Sequence, residues 1–152
     1  MLYVSIIILS ALLYTYYHFR DRVPILMYHR IASVPGDRNA LPEEKFEEQM
    51  RYLEENGFHS ITAEELQAHF LHGKRLPKKP VVLTFDDGYE DNYKIAFPIL
   101  KKYEFNCIIY LVSHLNYNKW DVEVPENPEK KFPLMTWDMI KEMQEYGIEF
   151  GG

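Results

Sequence analysis

The chain has 152 residues with 47% apolar and 15% aromatic content, and residues 1–19 contain no Asp, Glu, Lys or Arg, leaving residues 20–152 for a soluble domain. That is one core of ordinary size, and a complete eight-stranded α/β barrel of about 250 residues is excluded. A net charge of −6, without a dense basic run, gives no support to nucleic-acid binding, which needs clustered Lys and Arg. The single cysteine, Cys107, sits in an apolar run and reads as a buried structural thiol.

In chain order, residues 1–22 read as an uncleaved N-terminal signal-anchor. A helix over residues 1–19 has about the length of a membrane span, Tyr14, Tyr16 and Tyr17 suit an interface, and His18 joins them there. Arg20 and Arg22 follow the segment, which by the positive-inside rule keeps the domain in the cytoplasm.

The domain assigned to residues 23–152 alternates apolar runs with amphipathic ones. Strands are predicted at Val23 to His29, Phe58 to Ile61, Val81 to Phe85, Phe105 to Val112 and Ile148 to Phe150. Between them, Pro42 stands at the first position of a helix that stops at Gly57, and Thr62-Ala63-Glu64-Glu65 forms a capping box for a helix to about His72. Lys74 to Pro80 is a basic link. A helix from about Glu90 to Tyr103 is kinked by Pro98, and Thr136 caps a last helix that ends at Gly147. Ser113 to Pro133 has no periodicity and reads as a long loop, functional or mobile. The pattern is α/β with a mostly parallel sheet.

In such a sheet the strand carboxyl ends converge on one face. His29, Asp86, Asp87 and His114 all fall there. Two adjacent carboxylates after a buried strand need a cation or donors to stay ionised, although a solvated Asp-Asp-Gly turn uses the same residues. His69 and His72, spaced by three on a helix, read as an exposed polar face, and His59 as a strand residue. Trp120 and Tyr117 in the long loop read as loop aromatics, with stacking on a ligand ring as the alternative.

Thr84-Phe85-Asp86-Asp87-Gly88 resembles the first motif, T-F-D-D-G, of the polysaccharide deacetylases of the NodB homology type, carbohydrate esterase family 4. The resemblance extends to Pro24-Ile25-Leu26-Met27-Tyr28-His29, Phe46 to Phe58 and Leu134 to Ile140, and is strongest to members that deacetylate poly-N-acetylglucosamine. It implies the N-terminal part of a distorted (β/α) barrel, preceded by one transmembrane helix. The implied reaction is hydrolysis of N-acetyl groups on an N-acetylglucosamine polymer, assisted by a divalent metal ion, zinc or another. Asp86 matches the catalytic base, Asp87 a metal ligand and His29 the general acid. The implied substrates lie outside the cytoplasm, at the bacterial cell surface, against the arginine count.

The family's second motif, H-[S/T]-x-x-H-P, supplies two further metal ligands, and none of its residues can be assigned here. The chain is therefore expected to be an inactive, truncated fragment with an unpaired sheet edge. The alternative is a membrane-anchored pseudoenzyme that binds glycan or a partner without catalysis. Haloacid-dehalogenase phosphatases also place aspartates after a strand, but their D-x-D-G spacing is not that of Asp86-Asp87-Gly88.

Overall fold

The computed structural model describes residues 2–19, 22–34, 37–112, 117–118 and 132–152. In chain order they form α1 (Leu2–Phe19), β1 (Ile25–Tyr28), β2 (Arg30–Ile31), β3 (Ala40–Leu41), α2 (Glu43–Glu55), β4 (His59–Ser60), α3 (Ala63–His72) and β5 (Pro80–Phe85). A π-helical turn (Asn92–Ala96) then leads into α4 (Phe97–Lys102), followed by β6 (Ile108–Tyr110), β7 (Tyr117–Asn118), β8 (Phe132–Pro133), α5 (Trp137–Tyr146) and β9 (Glu149–Gly151).

The sheet runs β1-β5-β6-β9, with β4 also pairing β5, and every one of these pairings is parallel. β4 takes the first residues of β5, Pro80 and Val81, while β6 takes the last, Thr84 and Phe85. β5 is central and buried from Val81 to Phe85, which is why its sequence is a continuous apolar run instead of an alternation. α2 turns Phe46, Met50 and Leu53 onto the sheet. There Tyr28 stacks on Phe85 at 5.2 Å, and Phe46 meets both rings edge-on. The Tyr28 hydroxyl donates to Gln49 Oε1 at 2.8 Å, and burial pushes its pKa up to about 12.

Three sequence expectations change. α1 forms where the anchor was expected, with its large apolar side chains exposed, but among the described residues no helix is long and apolar enough to cross a membrane. Its 18 residues span about 27 Å at 1.5 Å each, and Ser10, Tyr14, Thr15 and Tyr16 dilute its second half. Pro42 is the N-cap of α2, one position before the expected one, with ψ 142 outside the helical range. The kinked helix is a π turn joined to a short α-helix. Pro98 has no N–H and its ring crowds the carbonyl four residues back, a conflict that the wider turn absorbs.

The other local signals hold. Thr62 and Glu65 form the reciprocal capping box of α3, and the Thr136 hydroxyl accepts from the N–H of Met139 at the start of α5. Cys107 is buried, and burial pushes its thiol pKa far up. Most of the loop between Ser113 and Pro133, with His114 and Trp120, lies outside the described residues, as does the side chain of Tyr117.

Candidate active site at the strand carboxyl ends

β1 and β5 run in register from Ile25 beside Val82 to Tyr28 beside Phe85. The next residue of each strand, His29 and Asp86, must therefore emerge side by side. The Asp86 N–H donates to the Tyr28 carbonyl at 2.9 Å, which extends the ladder by one step. His29 Nε2 stands 3.8 Å from Asp86 Oδ2, with the side chains 25% and 33% exposed. That is too long for a hydrogen bond but close enough for a shared water or substrate group to bridge the pair.

After Asp86 the backbone turns through two left-handed residues, Asp87 at φ 71° and Gly88 at φ 68°. A Cβ on Gly88 would stand 2.6 Å from Leu111 Cδ2, so the turn packs closely on the loop after β6. The Gly88 carbonyl accepts from the Met135 N–H at 2.9 Å, and Tyr89 bridges to Leu134, which fixes the approach to α5.

A polar network that the sequence did not reveal lies behind His29. Asp91 accepts from the Ile31 N–H at 3.1 Å through Oδ1 and from Arg30 Nε at 3.1 Å through Oδ2. Arg30 also pairs with Asp37 at 3.0 Å, and its guanidinium lies 3.5 Å from the centre of the Phe132 ring. Fully buried Asn92 donates through Nδ2 to the His29 carbonyl at 2.8 Å. Burial raises the Asp91 pKa, opposed by the Ile31 N–H and by Arg30. The visible signals were Arg30 beside His29 and an Asp-Asn pair just past the turn.

The remaining histidines stand apart. His69 Nδ1 lies 2.7 Å from the Lys74 carbonyl just past the end of its own helix, and His59 pairs with Pro80 at the opposite end of β5. Among the described residues no group of three or more His, Cys, Asp or Glu could hold a metal ion. Of Asp86, Asp87 and His29 only Asp87 is expected as a ligand, and a catalytic metal takes three, so the described residues do not by themselves complete a site.

Comparison with solved structures gives this parallel α/β sheet as the NodB-like deacetylase fold. The family model for polysaccharide deacetylase matches residues 73–152, and the chain belongs to that family. It is 35% identical over 127 residues to YxkH of Bacillus subtilis (strain 168), covering 84% of this chain and 40% of the relative. It is 28% identical to the poly-beta-1,6-N-acetyl-D-glucosamine N-deacetylase of Escherichia coli (strain K12), covering 78% of this chain and 18% of the relative. The solved structure of IcaB from Ammonifex degensii superposes with a TM-score of 0.69 at 31% identity, covering 86% of this chain and 51% of that one. The chain thus spans less than half the length of these two curated relatives.

Proposed function

We propose that this chain carries the proton-handling residues of an enzyme that removes acetyl groups from an N-acetylglucosamine polymer, as the N-terminal part of a distorted (β/α) barrel. The observation that supports it is the 3.8 Å approach of His29 Nε2 to Asp86 Oδ2 at the ends of adjacent parallel strands. In this reading Asp86, ionised, takes a proton from the water that attacks the acetyl carbonyl. His29, protonated, gives one to the nitrogen as the amine departs. Asp87 is the carboxylate this chain contributes toward a divalent ion, and the described residues alone turn no substrate over.

The polymer is part of the proposal and rests on the names of the Escherichia coli and Staphylococcus relatives. A domain outside the cytoplasm, held at the membrane through residues 1–22, fits the uncharged first 19 residues and such a substrate.

The test joins this chain to the remainder of a related domain, such as that of the Ammonifex degensii protein, and measures acetate release from β-1,6-linked N-acetylglucosamine oligomers. Release is expected, and Asp86→Asn or His29→Ala should each lower it by about 10²- to 10⁴-fold. A hybrid whose release ignores both substitutions sinks the assignment. A second reading, glycan binding without catalysis, makes a different prediction. On that reading the hybrid binds oligomer, seen as shifts of the Gly88 amide, and releases no acetate.

A further inference from the structure

We propose that the end of α3 and the link after it, residues 70–79, form a docking surface for a bilayer of anionic phospholipid, at the end of the sheet opposite His29 and Asp86. The proposal is independent of the catalytic reading and of whether α1 spans anything.

Charge comes first. Lys74, Arg75, Lys78 and Lys79 fall within six positions, and no Asp or Glu occurs between Glu65 and Asp86, in a chain whose net charge is −6. Lys79 is committed: its Nζ donates to the Asn56 carbonyl at 2.7 Å and lies over the Phe58 ring. Lys74, Arg75 and Lys78 are exposed and make no ion pair among the described residues. The backbone at the start of the link is held, because α3 closes on Gly73 at φ 66° and the Lys74 N–H returns to the Ala68 carbonyl.

The second observation is apolar. Phe70 and Leu71, on the last turn of α3, are 69% and 65% exposed beside those cations. No residue of α3 is buried, so the helix does not spend these side chains on the core. A soluble polyanion would account for the cations and leave Phe70 and Leu71 without a role. A lipid surface uses both, since aromatic and aliphatic side chains enter the headgroup boundary while cations meet the phosphates.

Topology supplies the orientation. Val23, two residues before β1, and Leu76, in the middle of the link, pack against the same cluster of Ile61, Val82 and Ile108. The Val82 N–H donates to the Pro24 carbonyl, so the chain arriving from α1 and the basic link enter the sheet together. His29 and Asp86 leave at the far ends of the same strands, roughly 17 Å away at about 3.3 Å per residue. Docking through the link therefore directs the candidate site away from the bilayer.

Because Cys107 is buried, an environment-sensitive thiol dye on the Leu71→Cys full chain reports this surface alone. With vesicles of phosphatidylglycerol and phosphatidylcholine the emission should shift to the blue, and reverse as salt approaches about 1 M, where the screening length is about 3 Å. Vesicles of phosphatidylcholine alone should give no shift. Lys74→Glu, Arg75→Glu and Lys78→Glu together should weaken docking by about a hundredfold or more, since each cation near such a surface is worth about fivefold. The same dye on Lys141→Cys, on α5, should stay unshifted. An equal shift on phosphatidylcholine alone, or one that survives the three reversals, overturns the proposal. So does an equal shift with soluble polyphosphate and no vesicles, which would make the surface a polyanion site. If the dye perturbs α3 by circular dichroism, Phe70→Cys gives the same readout.

Discussion

The side-chain Nδ2 of Asn92 donates a 2.8 Å hydrogen bond to the backbone oxygen of His29, joining the turn after β5 to the residue that ends β1. Asn92 opens the π turn, and its Oδ1 is buried without a hydrogen-bond partner among the described residues. The position of His29 relative to Asp86 is thus set from behind as well as by the sheet.

Asn92→Ala should cost about 1–3 kcal/mol in urea denaturation, because the His29 carbonyl loses its donor in a partly buried place. Amide exchange at residues 29–31 should accelerate with it. Unchanged exchange there would mean that the strand pairing alone holds His29.

Asp91 sets a pH dependence. Burial raises its folded pKa above the unfolded value, so the folded state keeps the proton to higher pH. Through the window from the ordinary carboxylate range up to that raised value, the unfolded state releases its proton first and this contribution to stability falls as pH rises. Asp91→Asn should flatten that part of the stability profile measured by denaturation at successive pH values.

Gly88→Ala should destabilise the fold by about 1–2 kcal/mol from backbone strain, with a further loss from contact with Leu111. Adding Leu111→Ala removes that contact but leaves the strain at φ 68°. A double variant that returned the contact loss and kept the rest would separate the two causes in one denaturation series.

Thr62→Ala should cost about 1 kcal/mol, since it removes the side chain that accepts from the Glu65 N–H while Glu65 accepts from the Thr62 N–H, both at 3.1 Å. Thr62→Ser should restore the midpoint of thermal unfolding.

The elements visible in the sequence are those written locally. The apolar run of β5, the box at Thr62 and the cap at Thr136 each depend on residues within a few positions of one another. The sheet's parallel sense followed from the alternation of strand and helix, and with it the convergence of His29 and Asp86. The π turn was not legible, because Pro98 signals that a helix must give way and not how. Nor was the Arg30, Asp37 and Asp91 network, whose longest link crosses 61 positions and leaves no period in the chain. α1 was legible as a helix, while among the described residues no helix is long and apolar enough to cross a membrane.

Asp87 holds a side chain at φ 71°, where most L residues are disfavoured by roughly 1–2 kcal/mol, aspartate and asparagine less than others and glycine not at all. Stability alone would therefore replace it, with glycine or with asparagine, which tolerates this region best among the others. A lineage that had stopped using the carboxylate would drift toward those two residues. On the proposed role of Asp87 as a metal ligand, the residue found at this position across related sequences is a record of which lineages still use an acid there.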